Sequence, residues 1–479
     1  MSATTLFSGR VAPAMQPVPP IVSPDTPVAE ACRRMAEAKQ TSVLVADEAG
    51  RVVGILTEQD VVRRVAFRLD PATPVQAAMT SPVLHAAPDE YLYRAVGLMR
   101  TRGLRHLPVL DADRRPVGML LRFETYAAAS GRLLAAVERL AQPEDERGFA
   151  ATRAAQAELA RTLLDERVPA ADVIGVVSEI NIDLHRRIVE RALAARPSPP
   201  PVPFTLLVMG SAGRGESLLA PDQDNGLILG DYPDEAHGEI DAWFISFAED
   251  LNDRLAAAGF PLCKGHVMAR NPLWRKRAAE WREQFRLWAD RRSPVALLFG
   301  DIAFDFRPVW GDPAPAAALR AALARILAAR PAFLAALAGQ LGELSVGLSF
   351  WGGFRDDEAG PGARTDLKKS GLMPLVASAR LLALKHGIAE TGTRARLEAL
   401  AEVGAISRGE AEGLIAAFGD VAGALLRQQL ADVAEGRPPG TLVDLRGAAK
   451  AEQTAVREAL KRIGAFQKEV VAAFSGSLW

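Results

Sequence analysis

Displaced against itself by 64 positions, the N-terminal part of the chain matches itself without a gap. Pro24–Asp25 falls on Pro88–Asp89, Met35 on Met99, Val45 on Val109, Asp47 on Asp111 and Gly54 on Gly118. No other feature restricts the fold as much, because each copy of such a repeat is one small supersecondary unit. Each copy reads as an amphipathic helix ("VAEACRRMAEAK", "LYRAVGLMRTRG") followed by a short apolar strand ("SVLVAD", "HLPVLD"). A turn ("EAGR", "ADRR"), a second strand ("VVGIL", "PVGML") and another helix complete it. One copy is too small to bury its strands alone, so the two are expected to share a core.

This pattern resembles a tandem pair of CBS domains (a Bateman module) over residues 14–128, divided into 14–70 and 75–128. The resemblance implies an adenine-nucleotide site built on glycine–apolar–apolar–Thr/Ser–x–x–Asp, with the hydroxyl on phosphate and the Asp on ribose. "GILTEQD" supplies Thr57 and Asp60, whereas "GMLLRFE" places Leu121 and Glu124 at the matching positions. One intact and one degraded site are expected. Thr57 also reads as the N-cap of the helix that begins at "EQD", a role compatible with ligand contact. The resemblance further implies signal transduction and a homodimer.

At 479 residues the chain is expected to form two to four domains, and 49% hydrophobic with 24% charged residues is ordinary for a globular protein. A net charge of −1 gives no global footprint for nucleic acid or an anionic membrane. Cys32 and Cys263, far apart in sequence, make neither a disulfide framework nor a zinc site. No apolar run reaches transmembrane length and the N-terminus does not read as a signal peptide, so a soluble, cytoplasmic protein without membrane contact is expected. Residues 129–196 read as a helical connector, with Val173, Val177, Ile180, Leu184 and Ile188 at helical spacing; "PSPPPVP" at 197–203 ends it.

"FTLLVMG", a continuous apolar strand ending at Gly210, is followed by Ser211, a helix-like "GRGESLLA", a "PDQ" turn and the buried strand "DNGLIL". Side chains two apart on a strand share a face, so Asp222 and Asp224 are expected to project together while Gln223 and Asn225 point away. Two such carboxylates repel unless a cation lies between them, and Mg2+ suits one or two carboxylates plus substrate phosphates. Gly210 and Ser211 at a helix start would cradle phosphate. The glycines do not fit a P-loop or G-x-G-x-x-G, and a solvated Gly-rich turn would not explain the placement of the acids.

The Gly-Ser followed eleven positions later by Asp-x-Asp resembles the DNA polymerase beta nucleotidyltransferase superfamily. Arg214, Glu216 and "DQDN" extend the likeness to protein-PII uridylyltransferases and to the nucleotidyltransferase-like domains found behind CBS pairs. That resemblance implies Asp222 and Asp224 as catalytic residues and Mg2+ ligands, Gly210, Ser211 and Arg214 on phosphate, and Glu216 bracing the turn. A third carboxylate is expected near Gly265–His266, but that stretch offers only Leu262 and Cys263. Asp301 and Asp305 follow, and Asp305 reads as the partner of Arg307 or another cation. Trp274, Trp281 and Trp288, seven apart, read as a packed core face.

From 313 onward the chain is a succession of amphipathic helices, in which Lys368 and Lys369 of "DLKKSG" face triphosphate or are simply solvated. The expected architecture is α/β plus all-α: the CBS pair, a polymerase-beta-like α/β domain at 203–312 and a helical C-terminal bundle at 313–479. Two functions remain open. One is a CBS-regulated, Mg2+-dependent transferase that moves a nucleoside monophosphate from an NTP to a hydroxyl of a protein, small molecule or, less in keeping with the net charge, RNA. The other is a catalytically degenerate nucleotide-sensing regulator.

Overall fold

The computed structural model describes residues 6, 7, 9–66, 68–122, 140, 146–349, 351–357 and 364–475. They fall into two compact units, Met1–Pro143 and Glu144–Trp479.

In the first unit the repeat is realised element by element. α1 (Val28–Glu37), β2 (Ser42–Ala46) and β3 (Val52–Thr57) recur as α2 (Leu92–Thr101), β4 (His106–Leu110) and β5 (Pro116–Leu121), the starts moving from 28 to 92, 42 to 106 and 52 to 116. β2 runs antiparallel to β3 with Leu44 opposite Ile55, and β4 to β5 with Pro108 opposite Met119; β1 (Ile21–Val22) adds a parallel strand beside β2. The turns are duplicated too. Asp47 accepts from the N–H of Ala49 and Arg51 at 3.0 and 2.9 Å, and Asp111 from Asp113 and Arg115 at 3.0 and 2.7 Å. A carboxylate that bonds the backbone ahead of it fixes such a turn.

Strand alternation sends Val43 and Val45 under α1, beside Val28, Ala31 and Met35. On the opposite face Leu44, Val52 and Ile55 meet Leu110 and Met119 of the second copy, which is the shared core. Residues ahead of 14 join this unit: Gly9 accepts the Leu92 N–H at 2.9 Å, and the Arg10 guanidinium lies 3.6 Å from the Tyr91 ring centre.

The second unit opens with α3 (Glu146–Asp165) and α4 (Ala170–Ala194). Where a connector was expected, α4 packs inside this unit on α6 (His237–Ala257) and α13 (Arg408–Ala434), because its Val173, Val177, Ile180, Leu184 and Ile188 stripe needs apolar cover. Most of 129–145 lies outside the described residues.

Its sheet has the order β8–β7–β6–β9: β8 (Arg275–Arg277), β7 (Asn225–Leu229), β6 (Phe204–Val208), β9 (Arg307–Trp310). β6 is antiparallel to β7 and β9, and β8 is parallel to β7. β6 and β7 are buried along their whole length, as continuous apolar runs require. Phe244 and Phe247 of α6 stand edge-on to Phe204 at 5.5 and 5.3 Å between ring centres. The three tryptophans are core, as expected, and Trp281 Nε1 donates to the Leu227 carbonyl at 2.9 Å. Only two are helical, however: α7 spans Ala278–Arg291, and Trp274 sits in a 3-10 turn before β8, because Pro272 opens a separate short turn.

After α8 (Pro294–Ala303) and β9, the chain forms α9 (Ala314–Ala328) and α10 (Pro331–Glu343), bent by 91° at Pro331. A two-strand ribbon, β10 (Thr365–Asp366) with β11 (Leu442–Val443), accompanies α11 (Met373–Lys385), α12 (Thr393–Glu402), α13 and α14 (Lys450–Ser475). Among the described residues no single helix is long and apolar enough to cross a membrane.

Candidate functional site

The turn after β6 is shaped by two glycines. Gly210 has φ +58°, and a Cβ there would lie 2.9 Å from Asp224 Oδ2. At Gly213 a Cβ would lie 1.8 Å from the Asp305 carbonyl oxygen, so only glycine lets these backbones approach. The helix α5 covers Gly210–Arg214 alone and ends at Gly215 in the left-handed region. The expected helical stretch "GRGESLLA" is therefore irregular beyond Arg214, and Glu216 turns aside to accept the Thr393 N–H at 2.5 Å.

Asp222 and Asp224 lie on the approach to β7 rather than in it, since the ladder starts at Asn225. Alternation nevertheless begins earlier, because Gln223 bridges Leu262 in parallel. Gln223 and Asn225 are buried and bonded to Asn252, while Asp222 is exposed and Asp224 partly so. Burial raises the Asp224 carboxyl above its ordinary range and the Asp222 charge adds to this; a bond from Cys263, Lys368 and Arg214 oppose it. Burial, with the Asp224 charge beside it, pushes the Cys263 thiol up to about 11, so it sits protonated against that carboxylate. A thiol thus occupies the neighbourhood where the third acid was expected. Among the described residues no three His, Cys, Asp or Glu are placed to hold a metal ion together. Two carboxylates side by side still suit a hard dication that draws further oxygens from phosphate and water.

Gly210, Ser211, Arg214, Glu216, Asp224 and Lys368 all line one cavity of about 230 Å³, which Asp222 does not reach. Lys368 opens a π-helical turn, Lys368–Leu372, leading into α11, whereas Lys369 points to solvent. Asp301 and Arg380 also line the cavity.

Arg214 is already engaged. Its Nε donates to Glu216 at 2.8 Å and its Nη1 to Asp305 at 2.8 Å. Burial would lower its pKa, but Glu216 and Asp305 outweigh that and raise it. Asp305 is fully buried and faces three guanidinium groups: Arg214, Arg380 Nε at 3.0 Å and Arg396 Nη2 at 2.5 Å. Of the two alternatives expected for Asp305, other cations rather than Arg307 are its partners, and Arg307 donates to Glu179 at 2.7 Å. Arg214 therefore braces the turn, together with Glu216, before any phosphate arrives. Sequence reasoning missed Arg380 and Arg396; the visible signal was an arginine inside the apolar helical run "PLVASARLLAL".

In the first unit Thr57 caps the turn Glu58–Asp60: its hydroxyl accepts the Asp60 N–H at 3.3 Å and donates to Asp60 Oδ2 at 2.7 Å. Asp60 Oδ2 in turn accepts the Thr57 N–H at 3.0 Å. The hydroxyl and carboxylate proposed for phosphate and ribose are thus side by side, bonded to each other. Thr57→Ala is expected to lower the stability of this unit by about 1 kcal/mol, measured by chemical denaturation. Of the second copy's pair, Leu121 ends β5, and Glu124 lies outside the described residues.

Family comparison places "CBS domain" over 10–66 and 75–124, "Putative nucleotidyltransferase DUF294" over 154–295, and "Putative nucleotidyltransferase substrate binding domain" over 331–474. The chain is 35% identical over 100 residues to an uncharacterised 17.7 kDa protein of Acidianus ambivalens, covering 21% of this chain and 60% of that one. It is 35% identical over 103 residues to an inosine-5'-monophosphate dehydrogenase of Aquifex aeolicus, covering 21% of each. The chain thus spans less than two thirds of the length of either relative. A conserved protein from Pyrococcus horikoshii matches at 27% identity and a TM-score of 0.24, over 25% of this chain and 89% of that one. A CBS domain protein from Pyrobaculum aerophilum, complexed with AMP, matches at 22% and 0.23, over 24% and 88%. CBS domains, a domain matching the DUF294 model and a domain matching its associated substrate binding model therefore follow one another in this one chain.

Proposed function

We propose that the chain is a nucleotidyltransferase regulated through its CBS pair, of the type resembled by the protein-PII uridylyltransferases. The observation that carries this reading is that Lys368, far along the chain, lines the same cavity as Gly210, Ser211 and Asp224. Ser211 and the Gly210 backbone hold phosphate, Lys368 neutralises it from the π turn, and Glu216 with Arg214 keeps the turn after β6 in place. Asp222 and Asp224 would hold Mg2+, which when bound supplies charge neutralisation of the triphosphate. The acceptor's hydroxyl oxygen bonds to the α-phosphorus, and the bond from that phosphorus to the β-bridging oxygen breaks. Pyrophosphate leaves with the electron pair, and the hydroxyl proton passes to Asp224. At the CBS pair, Thr57 and Asp60 take the phosphate and ribose of an adenine nucleotide.

Isothermal titration of Mg-NTP into wild type and Asp222→Ala/Asp224→Ala tests the site. The double variant should bind at least about tenfold more weakly, or about 1.4 kcal/mol. Equal affinities would remove the metal-site assignment.

One observation favours a second reading, a nucleotide-sensing regulator without transfer activity: Cys263 rather than an acid stands beside Asp224. Incubation with labelled NTPs, Mg2+ and lysate separates the two, since transfer leaves label on an acceptor and sensing does not.

A further inference from the structure

The cavity beside Asp224 has two kinds of wall. Its acidic and basic groups come from the turn after β6, from α8, from the π turn and from Arg380. The rest is mostly aliphatic, including Ile174 of α4, Val376 and Ala377 of α11, and Ala422 of α13, with Gln429 and Thr441 its polar members and Phe418 the one aromatic ring among the described lining residues. Ile174, Val376, Phe418 and Ala422 are all buried.

The polar side chains that accompany this aliphatic wall are largely spent. Gln429 accepts the Leu219 N–H at 3.1 Å and donates to the Gly440 carbonyl at 3.0 Å. Glu216 is bonded to Arg214 and to the Thr393 N–H, and Arg380 Nε to Asp305. A site that reads a nucleobase by its edge needs uncommitted donors and acceptors there, and generally aromatic faces on which to stack. This wall offers one ring and the Thr441 side chain. What such a surface rewards is removal of apolar area from water, about 25 cal/mol per Å².

From this we infer that the aliphatic end of the cavity receives the acceptor, and that the acceptor is a small alcohol with an aliphatic body. Its hydroxyl faces Asp224 and its hydrocarbon lies along Val376, Ala377 and Ala422. This deepens the transferase reading and rests on it for the word acceptor, but the binding site itself does not depend on transfer. A protein side chain is the poorer fit: a serine or tyrosine brings its polar backbone with it, and the aliphatic wall offers that backbone few partners.

The test uses 1-octanol as probe and the full chain, with binding followed by ligand-observed NMR in the absence of nucleotide. Wild type should show saturable binding, and Ala377→Phe, which fills the aliphatic end, should weaken it at least about tenfold. Should that variant fold poorly, the wild type alone decides: octanol affinity is measured again with each of the four Mg-NTPs at saturation. Undiminished affinity supports the assignment, whereas mutual displacement assigns the aliphatic end to the nucleobase and overturns it. Absence of octanol binding, or equal binding in wild type and a folded Ala377→Phe, overturns it as well and leaves a protein acceptor as the alternative. If octanol binds as expected while no Mg-NTP does, the transferase reading fails and the aliphatic site stands.

Discussion

Asp305→Ala is expected to destabilise the Glu144–Trp479 unit by about 3–5 kcal/mol, read from the midpoint of chemical denaturation. The carboxylate is fully buried and bonded by Arg214, Arg380 and Arg396. Truncation leaves three guanidinium groups converging on a space too dry to screen them. Arg396 is only 2% exposed and Arg380 5%, so neither can turn to solvent without unpacking a helix. Asp301, within α8 and about a third exposed, provides the comparison. Asp301→Ala should cost well under half as much, because water reaches that site. If the two substitutions prove equally mild, Asp305 does not hold this part of the protein together.

The second large effect is a loss of stability in acid. His185, in the middle of α4, is buried, donates its Nδ1–H to the Asn181 carbonyl at 2.7 Å, and lies 4.5 Å from the Phe260 ring centre. Burial drives its pKa down from 6.5 to about 4; the bond to Asn181 opposes this, and the Arg153 charge adds to it. The folded protein therefore keeps His185 neutral at a pH where the unfolded chain is protonated. Stability from this residue is fully present above about pH 6.5 and is lost as pH falls toward 4, because the unfolded state then binds the extra proton. The expected loss is about 3 kcal/mol for the single group. Denaturation curves at pH 7 and pH 4.5 should separate by most of that amount, and His185→Gln should flatten the dependence. An unchanged slope in the variant would assign the acid sensitivity to carboxylates instead.

How much of this was visible in the sequence depends on how far apart the partners lie. The repeat was legible because each copy closes its own helix–strand–turn–strand within a few dozen residues. The shared register and the paired Asp47 and Asp111 turns follow from that. The buried strands β6 and β7 were legible as unbroken apolar runs. Alternation placed Gln223 and Asn225 inward and the two acids outward, although the strand proper begins later than the pattern indicated. That Asp305 pairs with a cation was legible, but which arginines it holds, and that Arg214 is one of them, was not, because those bonds span 75 to 91 positions and nothing local distinguishes a free arginine from a spent one. The same distance hid the cavity, whose walls come from α4, the turn after β6, α11 and α13. Cys263 showed only as the lack of an acid, and folding turned it into a hydrogen-bond donor to Asp224.

The single carboxylate of Asp305 ties together a tight turn, the start of β9 and two helices of the C-terminal part. Thr391 and Thr393 add bonds to the same turn through the Gly213 carbonyl and Glu216. These bonds fasten the turn under Gly210–Ser211 to the helices α11 and α12 at several points. Widening to admit a bulky guest is then expected first at the π turn Lys368–Leu372, which holds one residue more than a regular helical turn.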